Sequence, residues 1–156
     1  METNLRFDYL TEENQLGSAF ALMKELRPHL SDKAMFCAQM ARQFQQRYQL
    51  LGARLGDDLV GLIGFRALEN LLYGRFVYVD DLLVTTAQRR SGIGAQLLAT
   101  VRRVAREKDC AHLVLDTGLH MPLAQRFYFR EAPARQGYAL RPTIVRGESS
   151  AWVRSC

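Results

Sequence analysis

Cysteine is scarce in this 156-residue chain and poorly placed for cross-linking. Cys37, Cys110 and Cys156 are far apart and odd in number, with no CxxC pair and no Cys/His cluster. This pattern argues against a disulfide framework and against a bound metal. No stretch approaches the ~20 uninterrupted apolar residues that cross a bilayer, so no membrane partner is expected. The opening Met1-Glu2-Thr3-Asn4 lacks the basic start and apolar run of a signal peptide, and the chain reads as cytoplasmic. Internal repeats, low-complexity tracts and linkers are also missing. One domain spanning 1–156 is expected, with 48% apolar residues to build its core.

The net charge is +5, and nearly all the positive charge is arginine. Apart from Arg89-Arg90 and Arg102-Arg103 the arginines are scattered, as on a solvated surface. There is no basic tail and no basic strand interleaved with aromatics. A mildly basic surface of this kind suits a small anionic ligand, and nucleic acid is not expected as a partner.

The apolar spacing orders the elements. Leu5 to Leu10 alternates like a strand. Thr11 is placed to cap a helix bearing Leu16, Phe20, Met23 and Leu26, which ends at Arg27-Pro28. Ser31 and Asp32 start a second helix to about Arg47, with Met35, Ala38, Met40, Ala41 and Phe44 on its apolar side. Strands follow at 48–55, 59–68 and 75–84, the first two joined by a Gly56-Asp57-Asp58 turn. A helix then buries Ile93, Leu97, Leu98, Val101, Val104 and Ala105. The strand His112 to Asp116 should run parallel to the strand before that helix. Pro122 opens a further helix to about Arg130. Strands are expected at 136–140 and, less distinctly, at 151–154. The fold class is α/β, a mixed central sheet flanked by helices.

The chemistry concentrates at Val79-Asp80-Asp81-Leu82-Leu83-Val84 and at Arg89-Arg90-Ser91-Gly92-Ile93-Gly94-Ala95. A strand leads to a glycine-punctuated turn, which opens a helix. Backbone N–H groups converge there at the positive end of the helix, which makes an anion site. Three readings compete. The glycines could merely tighten a strand–helix junction. A nucleotide loop would need Lys-Ser/Thr after the last glycine, where this chain has Ala95-Gln96; a dinucleotide fingerprint would need a third glycine where Leu97 stands. The remaining reading is a pyrophosphate in the turn whose amide-bearing arm runs back along the apolar strand.

Arg89-x-x-Gly92-x-Gly94 resembles the Q/R-x-x-G-x-G/A signature of the GNAT superfamily of acetyl-CoA-dependent N-acetyltransferases. Val79 to Val84 is similar to the strand that precedes it, and Ala124-Gln125-Arg126-Phe127-Tyr128 to the family's A-x-x-F/L-Y helix. The resemblance is good over residues 48–131. It implies that the backbone amides of Arg90, Gly92, Ile93, Gly94 and Ala95 hold the pyrophosphate of acetyl-CoA, with Arg89 ordering the loop or touching phosphate. It further implies that Leu82, Leu83 and Val84 pair with pantetheine at a β-bulge that splays two parallel strands. That bulge would aim a backbone N–H at the thioester carbonyl. Tyr128 would be the general acid for the leaving thiolate. No metal is implied. After the tyrosine helix the chain departs from the family, with Ala132-Pro133 where Gly-Phe is common. Residues 141–156 would then either cover the active site or swap onto a partner subunit in a homodimer.

Asp80 and Asp81 are the candidates for handling the amine. Neighbours on a strand face opposite ways, so at most one should point into a given pocket. The other would cap or pair with an arginine. His120 and Asp116 are weaker candidates, and Cys110 reads as core rather than nucleophile. Without a positioned Cys or Ser nucleophile, the amine should attack the thioester directly in a ternary complex. The acceptor is a protein amine or, favoured by the acidic pair, a small cationic molecule. The alternative is a CoA-binding sensor or interaction module without activity.

Overall fold

The structure is a computed structural model that describes residues 4–118 and 138–143. Its strands are β1 (Leu5–Tyr9), β2 (Tyr48–Leu55), β3 (Asp58–Asn70), β4 (Gly74–Val84), β5 (His112–Gly118) and β6 (Tyr138–Thr143). Its helices are α1 (Glu13–Leu26), α2 (Lys33–Gln45) and α3 (Ile93–Glu107), with a 3-10 turn at Thr86–Gln88. The six strands form one sheet in sequence order. β1 to β4 are antiparallel neighbours, and β4–β5 and β5–β6 are parallel. This is the expected mixed sheet flanked by helices. The helix expected at 122–130, with Tyr128 and nearby His120, and the strand expected at 151–154 lie outside the described residues. The strand expected at 136–140 falls at Tyr138–Thr143, so it takes in the first residues of the C-terminal stretch.

Each face of the sheet carries its own core. On one side α3 lays Ile93, Leu97, Leu98, Val101 and Ala105 onto Leu51, Ile63, Phe65, Val77 and Val79. Fully burying a side chain of this size is worth roughly 1.5–3 kcal/mol, so this row sets the orientation of α3. On the other side α1 and α2 cover Tyr48, Leu50, Leu62 and Leu83 with Leu16, Met23, Phe36 and Met40. Alternation along β4 therefore sends Leu83 toward α1 and α2, and Leu82 and Val84 toward α3.

Two helix details differ from the sequence reading. Glu12, not Thr11, is the N-cap of α1, and Gln15 Oε1 accepts from both the Thr11 and Glu12 amides at 3.0 and 3.1 Å. In α2, Asp32 is the cap and accepts from the Met35 amide at 3.1 Å. The buried residues of α2 are Phe36 and Met40, while Met35 is 70% exposed. Met40 and Phe44 of the expected stripe do pack on the core, Phe36 takes the place of Met35, and Ala38 and Ala41 are exposed. Phe36 packs against Phe20 of α1, with ring centroids 5.4 Å apart and the rings tilted by 44°.

The feature that positions the site is an irregularity in β4. Phe65 pairs with Val79, but the next pair is Gly64 with Asp81, so Asp80 is an extra residue. The β4–β5 ladder ends at Val79↔Leu115, immediately before this bulge, although β4 continues to Val84 and β5 to Gly118. A bulge bends its strand and increases the local twist. β4 and β5 are accordingly splayed from this point, and the β4 edge at Leu82–Val84 has no strand partner on its β5 side among the described residues.

Candidate active site

The bulge changes what the two aspartates can do. With regular alternation they would face opposite ways. The inserted residue removes one step of alternation, so Asp80, in phase with Tyr78, and Asp81, paired with Gly64, both face α1 and α2. The expectation that at most one of them points into a given pocket is corrected.

Both carboxylates are already paired. Tyr48 donates to Asp81 Oδ2 at 2.8 Å, and Arg27 Nη2 donates to Asp81 Oδ1 at 3.1 Å and to the Asp80 carbonyl at 3.2 Å. Arg66 clasps Asp80 in a fork, Nε to Oδ2 at 3.1 Å and Nη2 to Oδ1. The sequence reading allowed one aspartate an arginine partner; the structure gives one to each. Tyr48 starts β2 and faces Arg66 across the β2–β3 ladder, and Arg27 is the C-cap of α1. Three elements thus converge on the bulge.

The environment of each group sets its protonation. Burial pushes the Asp80 carboxyl above its usual range, and the Arg66 pair offsets this only in part. The bond to Asp80 raises the Arg66 guanidinium further, so it stays charged. Burial, then the Asp81 charge, pushes the Tyr48 phenol well above its ordinary value, so Tyr48 keeps its proton and acts as a fixed donor to Asp81. The arrangement is a partly buried carboxylate whose affinity for a proton is raised, beside a second one held in place by two donors.

Gly64 makes room for this arrangement. A Cβ there would stand 1.9 Å from the Tyr48 hydroxyl oxygen and 2.4 Å from Cζ. Gly64→Ala should therefore displace the ring and destabilise the fold by ~1–3 kcal/mol, the usual cost of overpacking. Urea unfolding would show it as a lower midpoint; an unchanged midpoint would mean that the ring is not confined at this place.

Beyond the bulge, the chain turns through Thr86–Gln88 and enters α3. Arg90 has φ 66° and Gly92 φ 83°, both left-handed. Gly92 is the N-cap of α3, and no side chain caps the helix. The first-turn amides of Ile93, Gly94 and Ala95 therefore have no partner within the helix. A Cβ on Gly92 would meet nothing within 4 Å, so the space in front of the turn is open. Arg89 and Arg90 are exposed beside it. Ile93 and Leu83 are buried, at 3% and 7% exposure, so each offers only its backbone. These residues fit a pyrophosphate with an extended arm, combining an uncapped helix start, open space and an unpaired strand edge in one run of chain.

Other candidates are placed less centrally. Cys110 packs against the α3 core, and burial raises its thiol, which makes it a poor nucleophile. Asp116 pairs with Arg141 in the β5–β6 ladder, past the end of the β4–β5 pairing. Tyr48, Arg27 and Arg66 were not singled out from the sequence. The Gly56 turn alone would set Tyr48 opposite Phe65, and an irregularity at Ala53/Arg54 shifts the register by one to Arg66; Arg27 reaches the bulge only through tertiary packing. No described helix is long and apolar enough to cross a membrane.

Residues 14–131 match the model of the acetyltransferase (GNAT) family, and the chain belongs to that family. The fold is shared with AAC(6')-Iy, solved in complex with the bisubstrate analog CoA-S-monomethyl-acetylneamine. That match has 15% identity, a TM-score of 0.75, and coverage of 98% of this chain and 99% of the other. It is also shared with the aminoglycoside 6'-N-acetyltransferase AAC(6')-Ih of Acinetobacter baumannii, at 16% identity, TM-score 0.74, and 85% and 92% coverage. The ribosomal-protein-alanine N-acetyltransferase of Brucella melitensis biovar Abortus 2308 matches at 19% identity, TM-score 0.73, and 97% and 99% coverage. At these identities the likeness is one of fold. No curated protein matches the chain in sequence.

Proposed function

We propose that this protein transfers an acetyl group from acetyl-CoA to a primary amine, by direct attack in a ternary complex. The observation that carries the reading is the β4 edge, released from β5 after Val79 and leading into the uncapped start of α3. The amides of Arg90, Gly92, Ile93, Gly94 and Ala95 would hold the pyrophosphate, with Arg89 beside it, and the backbone of Leu82, Leu83 and Val84 the pantetheine arm. The bound thioester supplies an activated acyl group. The chain's own work is to orient the amine, take its proton and provide one to the leaving group.

Asp80 is the proposed proton acceptor, directly or through a water, because burial raises its carboxyl toward the working range while Arg66 fixes its direction. Asp81, aimed by Tyr48, positions the acceptor. Tyr128 holds the proton at its phenolic oxygen for the leaving group. A small cationic amine is the favoured acceptor. In support, two carboxylates share one face of the bulge, and AAC(6')-Iy was solved with an analog joining CoA to an acetylated neamine.

Two measurements test this. Free thiol released from acetyl-CoA should appear only when an amine from a panel of diamines, aminoglycosides, amino acids and peptides is present; CoA binding without turnover across the panel would sink the reading. The kcat/KM of the wild type should fall as pH drops through an Asp80 pKa that lies above the usual 3.8, since protonation removes the base. Asp80→Asn should lower kcat by ~100-fold or more, within the usual range for an acid–base group, and should lose that acidic limb. Retention of the limb in the variant would assign it to another group.

A further inference from the structure

Arg27 and Arg66 both face the bulge, but they hold it differently. Arg66 grips one carboxylate through two nitrogens, and its side chain is 27% exposed. Arg27 uses a single nitrogen, Nη2, which sits between two oxygens at 3.1 and 3.2 Å, Asp81 Oδ1 and the Asp80 carbonyl. A lone cationic nitrogen between a carboxylate and a carbonyl is also the bonding pattern of a bound alkylammonium, which has three donors to spend. We propose that Arg27 is a built-in competitor for the acceptor: its Nη2 occupies the two-oxygen cradle that an ammonium group of a polyamine-like substrate takes. This rests on the amine-acceptor reading above.

Three features make the exchange workable. The Arg27 side chain is 45% exposed and springs from the C-cap of α1, so it can swing into water, and ion pairs that exposed hold weakly. The Asp81 side chain is only 12% exposed, so once Arg27 leaves, a buried charge stands uncompensated and calls for another cation. Tyr48 remains on Asp81 Oδ2 and keeps the carboxylate aimed during the exchange. One cation replaces another, so the charge of the cluster is conserved and a neutral molecule is refused.

The test uses butane-1,4-diamine as acceptor and butylamine as the singly charged control, at saturating acetyl-CoA. Arg27→Gln should lower the KM for the diamine about tenfold, the effect of removing a competing ion pair worth about 1.4 kcal/mol. Its kcat should stay within about twofold, and the diamine should bind the CoA complex more tightly by calorimetry by the same factor. Arg27→Lys retains a cation and should keep the wild-type KM. In an Asp81→Asn background, Arg27→Gln should have no effect on KM. A higher KM or a lower kcat in Arg27→Gln would overturn the proposal and make Arg27 a support of the bulge. If neither wild type nor variant binds or acetylates any amine while CoA still binds, the amine-acceptor reading fails, and this inference with it.

Discussion

Gly92→Glu should weaken acetyl-CoA binding by about a thousandfold. Gly92 has φ 83°, and its missing side chain faces open space at the start of α3. Two costs add there. A left-handed conformation costs an ordinary residue ~1–2 kcal/mol, which lowers stability modestly. A carboxylate brought to ~4 Å from a diphosphate adds about 4 kcal/mol of repulsion at an effective dielectric near 20. Only the second cost bears on the ligand, and at 1.4 kcal/mol per decade it corresponds to about three decades in affinity. Gly92→Ala separates the two, since it carries the strain without the charge and should bind acetyl-CoA nearly as wild type. Calorimetry on both variants decides the matter. Unchanged affinity in Gly92→Glu would move the pyrophosphate away from this turn.

Tyr128→Phe should lower kcat by ~100- to 10,000-fold, the range of a general acid, while acetyl-CoA affinity changes little. The tyrosine is proposed from its place in Ala124-Gln125-Arg126-Phe127-Tyr128, and removing one hydroxyl deletes the proton without emptying the aromatic volume. The loss should also depend on the leaving group: an acyl donor with a more acidic thiol needs less help and should recover part of the rate. A uniform loss across donors would point to packing rather than proton transfer, and unchanged turnover would remove Tyr128 from the role.

Local pattern made much of this molecule legible. Ile93, Leu97, Leu98, Val101 and Ala105 lie where helical spacing put them, and the Gly56 turn set the β2–β3 hairpin. The glycine turn can be proposed as an anion site from the sequence because its signals are local: paired glycines, a helix start and a preceding strand. The acidic half of the site was read in outline only. Asp80 and Asp81 stood out as charges in an apolar strand, but their orientation depends on a bulge that the pairing of β4 with β3 decides. Their partners Tyr48, Arg66 and Arg27 lie 33, 14 and 54 positions away from the aspartates they bind, so no window along the chain contains them together. Met35 shows the same limit in a helix. Its spacing suited the core, yet the neighbouring Phe36 takes the buried position beside Phe20 and Met35 is exposed.

The most direct test is one turnover with the acetyl group isotopically labelled. The protein, labelled acetyl-CoA and an accepted amine are mixed, quenched at intervals, and all three components weighed by mass spectrometry. The label should pass from acetyl-CoA to the amine nitrogen in step with the appearance of free CoA, with none on the protein at any time. Label on a protein side chain before it reaches the amine, or free CoA formed without an acetylated amine, would contradict direct transfer at the β4 bulge.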